Sequence, residues 1–159
     1  MQGTTSAPQE LIDIDTLIRV LDGKELPGAT ITIEQYESAL ADYALLAPED
    51  GSEHAHPMWL LVLALRGMGI TVDELCVLAG KRAQDTLLFG NCEMTQNRPL
   101  RVGNTFAVTA TVGPVSRKQT RPGGILDFVT VRAAIFDKDD PSDLPAGEVV
   151  NGFIFKRGA

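Results

Sequence analysis

AHPMWLLVLALRGMGI, residues 55–70, is apolar on nearly every side of a helical wheel. A helix that is apolar all round is buried either in a large core or in a membrane. The segment from Pro57 to Ile70 is too short for a bilayer, which needs about 17–25 residues. Pro57 suits the first position of a helix, because its missing N–H is not needed there. We therefore predict one helix over residues 57–70, buried in the core of a folded domain.

The composition bounds the class of protein. The chain has 159 residues, 44% of them hydrophobic, and one domain is the usual expectation at this length. Its net charge of −7 argues against a non-specific nucleic-acid binder. Cys76 and Cys92 lack metal-ligand spacing and are interpreted as apolar filler, so we expect no metal site. No signal peptide is recognised, and we expect a cytoplasmic protein without nucleic-acid or membrane partners.

The N-terminal part of the chain predicts short elements. Apolar spacing predicts helices over residues 9–21 and 34–46, separated by a strand over 29–33. We expect Tyr36 and Tyr43 to pack the second of these helices on the sheet. Residues 1–28 are interpreted as an N-terminal arm, and residues 29–159 as a single domain.

Capping residues place two helix starts. Thr30 or Thr32 is expected to cap the helix over residues 34–46. Thr71, with Glu74 three residues later, predicts a capping box for a further helix that ends near Gly80.

Beyond Gly80 the apolar residues alternate with polar ones, which is typical of half-buried strands. Gly- and Pro-containing breaks separate four long segments of this kind, so the connections are those of hairpins. The predicted strands cover residues 85–96, 105–118, 125–138 and 147–156. A short strand, helices and then long antiparallel strands predict an α+β fold, in which the sheet wraps around the apolar helix.

The segment FGNCEMTQNRPLRVGNTF, residues 89–106, joins two of these strands. It resembles the MaoC-like hydratase/dehydratase family of hot-dog proteins, in which "RPLRVGD-T" connects one strand to the next. Asn104 stands where that family usually has Asp. The hairpin RPGG at residues 121–124 and the strand at 126–131 also fit the family pattern, and the resemblance covers roughly residues 31–156.

The resemblance implies a hot-dog fold that dimerises or pairs two hot-dog units. It also implies thioester substrates carried on coenzyme A or acyl-carrier protein, with no other cofactor. The family's usual reaction is reversible hydration of a trans-2-enoyl thioester to a 3-hydroxyacyl thioester. An Asp and a His on a loop before the central helix activate the water and move protons. A backbone N–H at the start of that helix stabilises the thioester oxygen.

The chain departs from the family at both catalytic elements. The family loop "GD-x-NP-x-H" is absent; Glu49 and His54 have its Asp–His separation but lack the Asn-Pro context. His56 aligns with the His of the family's "HG" at the helix start, where Pro57 replaces the Gly. Proline has no backbone N–H, and loss of one oxyanion donor costs about 10²–10³ in rate.

Three functions remain open. We favour a subunit of an enoyl-CoA hydratase complex in lipid or steroid side-chain metabolism, which shapes the acyl-CoA site while a partner hot-dog subunit supplies Asp and His. Alternatively, the chain is a self-sufficient hydratase or acyl-CoA thioesterase that uses Glu49, Asp50, Glu53, His54 or His56 in an unusual loop. A third possibility is a non-enzymatic module that holds an acyl group or acts as a scaffold.

Substrate contacts are expected from basic residues and one aromatic residue. Arginine suits bidentate phosphate contacts, although a solvated hairpin tip or chain end is the ordinary place for such residues. Trp59 belongs to the core or to a dimer interface, or it lines the acyl pocket. Asp127 interrupts an apolar strand without an explanation from the sequence. The basic candidates for the carrier's phosphates are Arg98, Arg101, Arg117, Lys118 and Arg121, which Lys156 and Arg157 would join unless the tail is solvated.

Overall fold

The computed structural model describes residues 9–48 and 51–158. Four helices and five strands make up this part of the chain. In chain order they are α1 Ile14–Leu21, β1 Ala29–Thr32, α2 Gln35–Ala44, α3 Trp59–Gly67, α4 Val72–Leu78, β2 Thr86–Gln96, β3 Thr105–Gln119, β4 Ile125–Asp137 and β5 Gly147–Arg157.

The strands form one antiparallel sheet in the order β1-β3-β4-β5-β2. The four long strands lie within one residue of their predicted bounds at each end. Alternate residues of β3, β4 and β5 are buried on the face that contacts α3, and the core lies between this face and the helices. The predicted α+β architecture, a sheet curved around a central helix, is confirmed.

The central helix α3 lies close to the sheet because small residues occupy the contact points. A Cβ added at Gly67 would meet the Val108 side chain at 2.4 Å, and one at Gly147 would meet Leu60 at 2.5 Å. Only one face of α3 is fully buried, however. Leu61 and Leu65 are half-buried, so the prediction of a helix buried all round is wrong within this chain.

The structure corrects two details of α2. Glu34, rather than Thr30 or Thr32, is the N-cap residue, because the Thr32 hydroxyl pairs with that of Thr105 at 2.8 Å in the neighbouring strand. Tyr43 is 81% exposed and Tyr36 66%, so neither packs on the sheet. The helix instead turns Ser38 and Ala41 inward.

The starts of α4 and α1 are set by side-chain caps. Thr71 and Glu74 form the predicted capping box, with hydrogen bonds of 2.7 and 3.1 Å. The first helix begins at Ile14 rather than residue 9, because the Asp13 carboxylate accepts the Thr16 N–H at 3.1 Å. This helix buries Leu17 and Leu21 in the same core as the sheet.

A buried network of ion pairs joins the strands at the end of the sheet beside α4. Asp127, fully buried, accepts hydrogen bonds from Arg117 at 2.6 and 2.8 Å and from Arg157 at 2.7 Å. Arg157 also bonds Asp85 at 2.9 Å, and Asp85 in turn bonds Arg82 at 2.9 Å. The polar residue inside β4 is thus the shared counter-charge of two arginines, and Arg157 is a buried residue rather than part of a solvated tail.

The same arginines also donate hydrogen bonds to backbone carbonyls before α1, after β5 and after α4. Arg117 donates to the Ile12 carbonyl at 2.9 Å, and Arg82 donates to the Gly158 carbonyl at 2.7 Å. Arg157 donates to the Ala79 and Gly80 carbonyls that follow α4, at 2.7 and 3.1 Å. The network therefore satisfies helix-end carbonyls as well as charges.

Asp85 makes the stability of the fold depend on pH. Burial raises the pKa of Asp85, but hydrogen bonds from Arg82, from the Gly158 N–H and from Arg157 outweigh burial and hold the pKa well below its ordinary value. A group with a lowered pKa in the folded state stabilises the fold above its unfolded pKa, about 3.9 for Asp. That contribution is lost as the pH falls toward the folded pKa.

We therefore expect the free energy of unfolding of the wild type to fall steeply below about pH 4. In the Asp85→Asn variant, the free energy of unfolding should fall less over the same pH range. Urea denaturation at a series of pH values measures this dependence. Asp139→Asn, a change at an exposed carboxylate, is the control. Equal pH dependence of wild type and Asp85→Asn would contradict the role assigned to Asp85.

Candidate functional site

The candidate site is a surface cleft of about 310 Å³ in front of α3. It lies where the segment before the central helix meets the end of β2 and the loop that follows β2. Both histidines of the chain line it. The lining residues are Asp42, Ala47, Pro48, Ser52, His54, Ala55, His56, Pro57, Gln96 and Pro99.

The RPLRVGN segment, residues 98–104, positions the floor of this cleft. The Ala55 N–H donates to the Leu100 carbonyl at 2.7 Å, and the Val102 N–H donates to the Glu53 carbonyl at 2.8 Å. His54 forms an isolated antiparallel bridge with Arg101. Leu100 is fully buried. The motif that carries the family resemblance therefore supports the segment that leads into α3.

The backbone N–H groups of residues 58–60, at the start of α3, already have hydrogen-bond acceptors within the chain. Pro57 has no N–H. The Met58 N–H donates to His56 Nδ1 at 3.1 Å, the Trp59 N–H to the His56 carbonyl at 2.9 Å, and the Leu60 N–H to the Pro57 carbonyl at 3.0 Å. None of the positions 57–60 thus offers a free N–H to a thioester oxygen. His56 therefore accepts the Met58 N–H through Nδ1 just before the helix begins.

In the described residues, neither His54 nor His56 has an ion pair or a hydrogen bond with an acidic side chain. The His54 backbone N–H donates to Ser52 Oγ at 3.0 Å. Glu49, the third catalytic candidate, and Asp50 lie outside the described residues.

Two basic candidates, Arg98 and Arg101, have protein partners. Arg98 donates to the Asp140 carboxylate, the Ser142 hydroxyl and the Leu144 carbonyl, and so fixes the loop before β5. Arg101 is half-exposed and pairs with Glu53 at 3.2 Å beside a second cleft of about 470 Å³. Arg98 thus ties the connection between β2 and β3, in which it lies, to the loop before β5, and it is not a solvated hairpin tip.

The remaining basic candidates do not form one cluster. Successive strand residues point to opposite faces of a sheet, so Arg117 points into the buried network while Lys118 points outward. The Lys118 ammonium lies over the Phe128 ring, 5.2 Å from its centroid. Arg121 is exposed in the hairpin turn after β3. The alternation of the strand pattern was a signal that could have separated Arg117 from its neighbour.

Trp59 and the cysteines lie in or beside the core. Trp59 is 3% exposed, and its indole Nε1 has no hydrogen-bond partner in the described structure. Cys76 and Cys92 are half-buried, and burial raises the pKa of both thiols. The described residues contain no group of side chains suited to a metal ion. None of the helices in this described part has the length and apolar character needed to cross a bilayer.

Sequence reasoning missed the exposed edge of β2. This strand of 11 residues is at the end of the sheet and pairs on one side only, with β5. Phe89 and Met94, which oppose buried residues of β5, are 49% and 39% exposed. They adjoin the core without being covered by it. A run of period-two residues predicts a strand but does not show which strand lies at the edge.

Comparison with solved structures identifies the fold. The chain matches the ChsH1-ChsH2 complex from Mycobacterium tuberculosis with a TM-score of 0.63, 16% identity and coverage of 92% of this chain and 90% of that one. The HadBC (3R-hydroxyacyl-ACP dehydratase) complex from the same organism matches with a TM-score of 0.61 and 13% identity, and the match covers 91% of this chain and 99% of that one. The MaoC-like dehydratase from Rhodospirillum rubrum matches with a TM-score of 0.55 and 15% identity, and the match covers 89% of this chain and 97% of that one.

The fluoroacetyl-CoA-specific thioesterase FlK and a protein from Pseudomonas aeruginosa described as a putative thioesterase are among the further structural matches. No family model matches the sequence, and no curated protein sequence matches it significantly. The likeness therefore concerns the arrangement of the chain in space. The chain has the hot-dog fold, and its structure is similar to those of MaoC-like dehydratases.

Proposed function

We propose that this chain is a non-catalytic hot-dog subunit of an enoyl-thioester hydratase, and that a second hot-dog subunit supplies the catalytic Asp and His. One observation carries the proposal: the start of α3 has Pro57 and no free N–H at residues 57–60. Likeness to two solved complexes, one of them a dehydratase, supports it. Without a free N–H at residues 57–60, the start of α3 would not stabilise the charge developing on the thioester oxygen.

In the proposed complex the partner carries out the chemistry. Its Asp and His would take a proton from water, so that the hydroxyl adds to C3 of the enoyl thioester, and would return a proton to C2. This chain would bound the acyl site with the surface around the cleft in front of α3. We propose a lipid or steroid acyl group carried on coenzyme A as the substrate of this complex.

The β2 edge is the surface proposed for the partner. An uncovered edge strand presents unpaired N–H and C=O groups that readily pair with a strand of another chain. Phe89 and Met94 of β2 add apolar area to this edge, and Leu61 and Leu65 of α3 are half-buried within the single chain. A partner strand beside β2 would cover the side chains that this chain leaves exposed.

Substitution of the edge tests the proposed partner surface. We expect Phe89→Lys combined with Met94→Lys to weaken binding of a co-expressed MaoC-like subunit, one that carries the GD-x-NP-x-H loop, by at least about tenfold. Co-purification and titration of the two subunits measure this effect. Val77→Lys is the control, because Val77 is 78% exposed on α4. Unchanged binding by the edge variant would contradict this surface.

A further inference from the structure

The outer side of α2 is an apolar face with acidic neighbours. Tyr36, Leu40 and Tyr43 follow helical spacing, and Leu46 extends the row past the end of the helix. All four are well exposed, Leu46 at 90%. Exposed Glu34, and Asp42, which is half-buried at the cleft in front of α3, flank the row. Neither has an ion-pair partner in the described residues. We call these six residues the α2 face.

The outer side of the sheet has an apolar area with the opposite charge. The register places Leu126 of β4 between Lys118 of β3 and Lys156 of β5. Two residues further along these strands, Phe128 of β4 lies beside Ile154 of β5, and Ile154 lies beside Leu88 of β2. Neither lysine has an ion-pair partner in this part of the chain. These six residues are named the sheet face.

Apolar residues grouped on the surface of soluble proteins mark interaction sites. On the sheet face Leu88 is exposed, whereas Leu126, Phe128 and Ile154 are half-buried. The charges restrict what the two faces can pair with. Two α2 faces related by a two-fold axis would oppose acidic residues, and two sheet faces would oppose lysines. Like charges brought together across an interface cost several kcal/mol. The α2 face against the sheet face instead joins apolar area to apolar area and carboxylates to ammonium groups.

We propose that the α2 face of one copy of this chain docks on the sheet face of a second copy. Such a contact is heterologous, so every copy keeps one face of each kind available for the next. It leads to rings or open chains larger than a dimer. The contact involves the outer side chain of Leu88 on β2 but neither Phe89 nor Met94, the β2 residues assigned to a hot-dog partner.

Sedimentation of the full chain tests the proposal first. We expect the average mass to rise with concentration above the 17.1 kDa monomer and beyond the dimer. It should fall at high salt, because the screening length decreases from about 10 Å at 0.1 M to about 3 Å at 1 M. A mass that stays constant with concentration, or one that is unaffected by salt, would overturn the proposal.

A charge exchange provides the specific test. Lys118→Glu with Lys156→Glu makes both faces acidic, and Glu34→Lys with Asp42→Lys makes both faces basic, so each variant alone should associate less than wild type. Their equimolar mixture should recover association, because an acidic face of one variant now meets a basic face of the other. Lys24→Glu with Lys138→Glu alters exposed lysines elsewhere and should behave like wild type.

Two outcomes would overturn the proposal at this stage. Either variant alone associating as the wild type does would show that another surface is responsible. A mixture that stays as dissociated as its components would show that the two faces do not meet. The assay contains no enoyl thioester and no second kind of subunit, so its outcome is independent of the proposed hydratase role.

Discussion

Replacement of Asp127 by alanine is expected to lower the free energy of unfolding by about 3–5 kcal/mol, the usual cost of removing one partner from a buried ion pair. Asp127 is fully buried and accepts hydrogen bonds from both Arg117 and Arg157. Its loss leaves two guanidinium groups without their shared counter-charge. Because these arginines also hold the Ile12, Ala79 and Gly80 carbonyls, the damage extends to α4 and the N-terminal segment.

Urea denaturation at neutral pH measures this loss, with Asp139→Ala as the exposed control. Asp127→Asn should retain part of the hydrogen bonding but not the charge, and should lie between alanine and wild type. If Asp127→Ala lowered the free energy of unfolding by less than about 1 kcal/mol, the loss would lie in the range that is usual for an exposed ion pair. Such a result would contradict the central place of Asp127 in the network.

Leu63→Ala is expected to cost about 2–5 kcal/mol of unfolding free energy, because the substitution leaves a cavity between α3 and the sheet. Leu63 is fully buried near the middle of the helix. The close approach of α3 at Gly67 and Gly147 leaves little freedom for the helix to move inward and fill the space. Tight packing therefore places the expected cost in the upper part of this range.

Leu61→Ala removes the same side chain from the half-buried side of α3 and serves as the matched control. In the isolated chain it should cost clearly less than Leu63→Ala, as measured by the same denaturation experiment. Equal losses at the two positions would indicate that α3 is covered on both sides within a single chain. That outcome would contradict the half-buried position of Leu61 within the single chain.

The long strands were predictable because each is a run of strict period-two residues bounded by Gly, Pro, Asn or Asp. The capping box at Thr71 and Glu74 was likewise local in sequence. Residue 57 illustrates the same point for the candidate site: proline lacks an N–H in any structure, so one missing donor was already evident from the sequence.

Interactions between distant residues were not predictable. Asp127 meets Arg157 across 30 residues of chain, and no spacing rule connects them. Apolar spacing indicated a face on α2, but it does not reveal whether another element covers Tyr36 and Tyr43, and none within residues 9–48 and 51–158 does. The hydrogen bond from the Met58 N–H to His56 Nδ1, which removes a further donor from the start of α3, depends on a side-chain rotamer.

The proposed division of labour is tested most directly by hydration of 2-enoyl-CoA thioesters, with short to bulky acyl groups, by the purified chain alone. The account predicts a folded chain without turnover, and activity once a hot-dog subunit with an intact Asp–His loop is added. Turnover by the isolated chain that His54→Ala or His56→Ala abolishes, with the fold retained, would contradict it. The chain would then contain an active site of its own.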